Sequence, residues 1–237
     1  MNRLIVSIFV CAALAAAQDK TSQDKTKADQ VTVALSDPAQ PATVKVRLVS
    51  GRVTVTAGSS PQVLVGAEPS PGPRVSRAGD DAPSGMRRID TPGRGFKVEE
   101  DHNVVLIGAE RAGRNVNLLI QVPVDASLDV ETTNGSIALT NVSGAVSART
   151  ANGSVTVRLD HPPPDKPTSL SSLNGRIDVT IPADTKARLL LKATNGAIYT
   201  DFDAKIEPDG TRSINGGGPD YSFQTTSGAI LIHSKTK

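Results

Sequence analysis

Four aspartates, Asp178, Asp184, Asp201 and Asp203, are the residues of this chain best suited to chemistry. Paired carboxylates cleave polysaccharides when one gives up a proton and the other attacks the sugar or activates water. That work needs two of them in one groove. Here they stand apart, on alternating aliphatic segments or at their corners, and a solvated face accounts for them better. His102, His161 and His233 lie in unrelated contexts without the spacing of metal ligands. Gly216-Gly217-Gly218-Pro219-Asp220 approaches the calcium-binding nonapeptide once, but Pro219 occupies a required glycine and no tandem copy follows. The serines show no G-x-S-x-G elbow. The expectation is a non-enzymatic protein with no catalytic residue, cofactor or metal. A polysaccharide-degrading hydrolase or lyase using Asp178, Asp201 and Asp203 is the alternative.

Composition removes further classes. The 237 residues carry 26 Lys plus Arg against 24 Asp plus Glu, a net charge of +2, too weak a field for a nucleic-acid binder. With no Trp and only four Phe, a sugar-stacking groove is disfavoured, and the core must be built of Val, Ile, Leu and Ala. Arg74, Arg77, Arg87, Arg88 and Arg94 cluster in a Pro- and Gly-rich stretch, 66–95, with no aromatic side chain between them to stack on bases. A solvated surface insertion is the simpler reading.

The first residues read as an export signal: Arg3, an apolar run from Leu4 to Leu14, and an Ala15-Ala16-Ala17 cleavage site. Cleavage after Ala17 is expected, delivering the chain to the periplasm, cell surface or exterior. Cys11, the only cysteine, lies inside this signal. Bulky Phe9-Val10 precede it where lipoprotein signals place small residues, so lipidation there is disfavoured. No later stretch reaches the roughly 20 apolar residues of a spanning helix. Residues 18–30 are polar and aperiodic, a flexible tether.

One phrase recurs and sets the architecture. Thr132-Thr133-Asn134-Gly135, Thr150-Ala151-Asn152-Gly153, Ser172-Leu173-Asn174-Gly175, Ala193-Thr194-Asn195-Gly196 and Thr225-Thr226-Ser227-Gly228 each precede a run with aliphatics at alternate positions. Each copy sets a polar residue able to adopt the left-handed region beside a glycine, then begins a strand. The intervals from Gly153 to Gly175 and to Gly196 are 22 and 21 residues, enough for two short strands and two corners, one coil of a flattened β-solenoid. Segments 122–137 and 181–198 read as the same Pro-to-Asn-Gly unit, and 160–167 and 203–220 as corner insertions. The predicted fold is an all-β, single-domain β-solenoid over 31–237. Stacking would place Asn134, Asn152, Asn174 and Asn195 in a ladder of side-chain amides. An antiparallel sandwich or meander is the alternative, since Asn-Gly is also a strong hairpin signal and pairing Val130 with Leu139 keeps the faces consistent.

The order VPVDASLDVETTNGSI, SGAVSART, NGSV, NGRIDVTIPAD, NGAI and GGGPDYSFQTTSGAIL resembles the bacterial putative-adhesin family of exported domains of unknown function. The likeness runs over roughly 31–235. It implies a β-solenoid at or near the cell surface and carries no catalytic residues across. The expected function is a non-enzymatic envelope or surface scaffold that binds an envelope polymer or a protein, with edge-to-edge self-association at the tether or at Tyr221 to Ile232. An envelope-stress accessory docking to a membrane partner is a further alternative.

Overall fold

The computed structural model describes residues 30–68, 95–109, 115–162 and 165–235. The signal, residues 18–29 of the tether and the five clustered arginines lie outside these residues. The strands are β1 (Gln30–Val33), β2 (Thr43–Ser50), β3 (Val53–Gly58), β4 (Val63–Glu68), β5 (Phe96–Asp101), β6 (Val104–Ala109), β7 (Asn117–Pro123), β8 (Ser127–Asn134), β9 (Ile137–Thr140) and β10 (Val146–Asn152). They continue as β11 (Val155–Arg158), β12 (Thr168–Asn174), β13 (Ile177–Pro182), β14 (Ala187–Asn195), β15 (Ile198–Thr200), β16 (Lys205–Ile206), β17 (Arg212–Ile214), β18 (Asp220–Ser227) and β19 (Ile230–Lys235).

They form a nine-stranded sheet, β1-β4-β7-β3-β9-β11-β13-β19-β15, facing a ten-stranded sheet, β16-β17-β14-β18-β12-β10-β8-β2-β6-β5. Strands on either side of an Asn-Gly, such as β8 and β9, belong to different sheets, and each pairs in parallel with its counterpart one coil away. The chain is a β-solenoid. Val130 lies beside Val46 and Ala148 and has no pairing with Leu139, so the hairpin alternative falls.

Period-two patterning builds the interior. Ile107, Val46, Val130, Ala148, Leu170 and Phe223 stand in register along the ten-stranded sheet, and all are buried. Ile120, Val55, Leu139, Val157, Val179 and Ile232 answer them from the nine-stranded sheet. Fully burying each such aliphatic contributes about 1.5–3 kcal/mol. Parallel stacking aligns equivalent positions of every coil, so one alternating pattern makes a continuous dry core.

The coils do not stack in chain order. Their sequence along the axis is β6/β7, β2/β3, β8/β9, β10/β11, β12/β13, β18/β19 and β14/β15. The coil formed by β18 and β19 lies inside the stack, between β12/β13 and β14/β15, so Tyr221 to Ile232 are not the terminus expected to cap or self-associate. That coil is the more apolar of the last two. Tyr221, Phe223, Ile230 and Ile232 are all buried, whereas Leu191 and Ile198 of the outer coil are only partly covered. Covering the aromatic coil on both sides removes more apolar surface from water than the reverse order would. A bidentate pair holds the swap in place: Arg188 Nε lies 2.7 Å from Asp220 Oδ1 and Nη2 lies 3.1 Å from Oδ2. This guanidinium holds the Asp220 carboxyl below the usual carboxylate range.

Antiparallel strands finish both ends. β4 and β1 extend the nine-stranded sheet beyond β7, and β5 closes the ten-stranded sheet against β6. At the other end β17 and β16 cover β14. Residues 203–220, expected as a plain surface insertion, thus supply two cap strands. Glu100 ties the first cap to the loop after β1, accepting bonds from Ser36 Oγ at 2.8 Å and Asn103 N at 2.9 Å, and both bonds hold its carboxyl below the ordinary glutamate value.

Candidate functional site

The repeated phrase lines one long corner of the solenoid. Its glycines stack in the order Gly51, Gly135, Gly153, Gly175, Gly228 and Gly196, and a Cβ on any of the last five would lie 1.8–2.3 Å from the carbonyl oxygen of the glycine one coil before it. Backbones this close leave room for hydrogen only. The left-handed expectation for the polar residue is corrected: among the described residues the non-glycine residues at positive φ are His102, Asn103, Asn141 and Asn215, none of them in the phrase. Its glycine answers close approach, and its asparagine serves a different purpose.

That purpose is a partial amide ladder. Asn152 Nδ2 donates to Asn134 Oδ1 at 2.9 Å, and Asn174 Nδ2 to Asn152 Oδ1 at 3.0 Å. Asn195 does not follow, because Ser227 of the inserted coil stands between Asn174 and Asn195. The expected four-asparagine ladder is three long.

A second column behind it was missed from the sequence. Thr150 Oγ1 donates to Gly135 O at 2.9 Å, Ser172 Oγ to Gly153 O at 3.0 Å and Thr225 Oγ1 to Gly175 O at 3.0 Å. The Ser or Thr two positions before the Asn or Ser in four of the five copies, with Ala193 the exception, was its signal. Thr132 occupies the same column, yet its buried hydroxyl has no partner. Thr150→Val is therefore expected to destabilise by about 1–2 kcal/mol, since it strands a buried carbonyl, whereas Thr132→Val is expected to be neutral or stabilising. Urea midpoints of the two variants check the contrast.

The candidate catalytic groups are placed on the outer face of the nine-stranded sheet and beyond its last strand. His233 stands between two of them, its Nδ1 3.3 Å from Asp201 Oδ2 and its Nε2 3.9 Å from Asp178 Oδ1. Asp203 instead borders an open groove of about 830 Å³ beside the end cap, with Arg188, Lys205, Glu207 and Asp209. The structure brings Asp178 and Asp201 to one histidine and leaves Asp203 elsewhere. Each ring nitrogen faces a different carboxylate, so the three cannot share one metal ion. Among the described residues no three His, Cys, Asp or Glu side chains gather as a metal site.

Another concave surface lies on the outer face of the ten-stranded sheet. A shallow groove of about 370 Å³ crosses β8, β10, β12 and β18, bordered by Glu131, Thr133, Arg149, Ala151, Ser171, Leu173, Gln224 and Thr226. Register fixes its rows: Glu131, Arg149, Ser171 and Gln224 in one, Thr133, Ala151, Leu173 and Thr226 in the next. Coils about 4.8 Å apart hold these groups at a constant spacing. The stretch that carries the repeated phrase and its hydroxyl column also matches the sequence model of one known family. Residues 117–233 match the model of the Toastrack DUF4097 family. The coils preceding this Toastrack stretch continue the same two sheets, with β2/β3 seated between β6/β7 and β8/β9. No curated protein matches the chain. The fold is similar to that of a putative cell adhesion protein from Clostridium sporogenes, with a TM-score of 0.61 and 9% identity over 87% of this chain and 99% of that one. A putative adhesin from Bacteroides fragilis aligns with a TM-score of 0.33 and 10% identity over 87% of this chain and 96% of that one. Among the described residues no helix is long and apolar enough to cross a membrane.

Proposed function

We propose that this protein is an exported, non-enzymatic, adhesin-like scaffold that holds an extended envelope polymer or protein against the outer face of its ten-stranded sheet. The observation that carries this reading is the groove across four coils, which sets Glu131, Arg149, Ser171 and Gln224 side by side at the fixed spacing of the coils. A rigid periodic array suits a repeating partner, because many weak contacts at matched spacing add up to firm attachment. Arginine is the side chain there most able to anchor a partner.

The test is binding of the purified chain, lacking residues 1–17, to whole cells and to fractionated envelope. Arg149→Ala is expected to weaken that binding roughly tenfold, about 1.4 kcal/mol, with unchanged stability. Absence of binding to every fraction sinks the proposal. Self-association is a separate outcome of the same measurement, and it would use the open edges at β15 or β1.

The setting of His233 between Asp178 and Asp201 supports a second reading, polysaccharide cleavage on the same scaffold. Asp178→Ala and Asp201→Ala leaving any observed turnover intact would end it.

A further inference from the structure

We propose that Asn195 is a site of spontaneous deamidation and that the stacked coils protect the other asparagines of the repeat from the same reaction. The sequence holds five Asn-Gly pairs, beginning at Asn134, Asn152, Asn174, Asn195 and Asn215. An asparagine before glycine is chemically susceptible because nothing shields the following peptide nitrogen. That nitrogen loses its proton to base and attacks the asparagine Cγ. A carbon–nitrogen bond forms to close a succinimide, the bond from Cγ to Nδ2 breaks, and ammonia leaves. One water then opens the ring at either carbonyl, giving aspartate or isoaspartate. Water enters, ammonia departs and no electron is exchanged.

Closing the ring requires a free glycine N–H, a free carboxamide and rotation of the backbone between them. Inner coils withhold these. The N–H groups of Gly135, Gly153 and Gly175 donate to Asn152 O at 2.9 Å, Asn174 O at 3.1 Å and Ser227 O at 2.9 Å. The carboxamides of Asn134, Asn152 and Asn174 are joined in their ladder. The series ends where Gly228 donates to Asn195 O at 3.1 Å. Gly196 belongs to the outermost coil, and among the described residues its N–H has no backbone acceptor. Asn195 is exposed, and Ser227 separates it from the ladder. At Asn215 the carboxamide is held, donating to Ala183 O at 2.8 Å and Thr185 O at 2.7 Å. Asn195 alone of the five thus combines an unheld carboxamide with an unheld glycine nitrogen among the described residues.

The product puts a negative charge at the open end of the corner column. In its isoaspartyl form it also adds a backbone methylene between β14 and β15. The experiment holds the folded chain in mildly alkaline buffer, samples it over time and quantifies the five Asn-Gly peptides by mass spectrometry, with isoaspartate resolved from aspartate. Asn195 is expected to react at least about tenfold faster than Asn134, Asn152 or Asn174, a factor equivalent to about 1.4 kcal/mol. Asn215 is expected to lag behind it. In denaturant the five rates should converge, and Asn195→Ser should abolish the signal in its own peptide only. A folded-state rate at Asn195 that is not the fastest of the five, or a lead that persists in denaturant, overturns the proposal.

Discussion

Replacing Phe223 with alanine is expected to cost about 3–5 kcal/mol and to loosen both β12 and β14, along with its own coil. Phe223 is fully buried, with Leu170 in register on one side and Leu191 on the other. Its ring also lies near that of Tyr221, their centroids 6.3 Å apart. If β18/β19 were the last coil, following β14/β15 in chain order, the ring would have β14/β15 as its one neighbouring coil, and the variant would leave β12 untouched. Leu191→Ala, in the outer coil, is expected to cost clearly less because that side chain is only partly buried. Denaturant midpoints give the magnitudes, and hydrogen exchange at β12 decides the order of the coils. Retained protection of β12 in Phe223→Ala would contradict the swapped stack.

Gly153→Ala is expected to lower stability by about 3 kcal/mol or more. A Cβ there would stand 2.1 Å from Gly135 O, a backbone atom that cannot move aside without disturbing the neighbouring coil, and φ is +154°. Gly58→Ala is the control. Nothing lies within 4 Å of its Cβ position, so that change is expected to be near neutral. Equal midpoints for the two variants would show that the corner glycines serve chain flexibility rather than close approach.

The corners also govern the outer face of the ten-stranded sheet. Glycine contacts, buried hydroxyl bonds and in-register aliphatics fix the coil spacing, and that spacing sets the rows of Glu131, Arg149, Ser171 and Gln224 on the outer face. A substitution at a corner should therefore change stability and binding together, whereas Arg149→Ala changes binding alone.

Alternation of aliphatics and recurrence of Asn-Gly pointed to an all-β solenoid ahead of an antiparallel meander and marked its Asn-Gly corners. Those features are local, since a period of two and a turn signal act within a few residues. Three things were decided only by the tertiary structure: that β18/β19 enters the stack ahead of β14/β15, that Ser227 interrupts the asparagine ladder, and that His233 meets Asp178 and Asp201. All three depend on which coil becomes the neighbour of which. Every coil carries much the same pattern and would accept several neighbours, so the order is settled by which arrangement buries Tyr221 and Phe223 on both sides, a comparison that exists only once the coils are assembled.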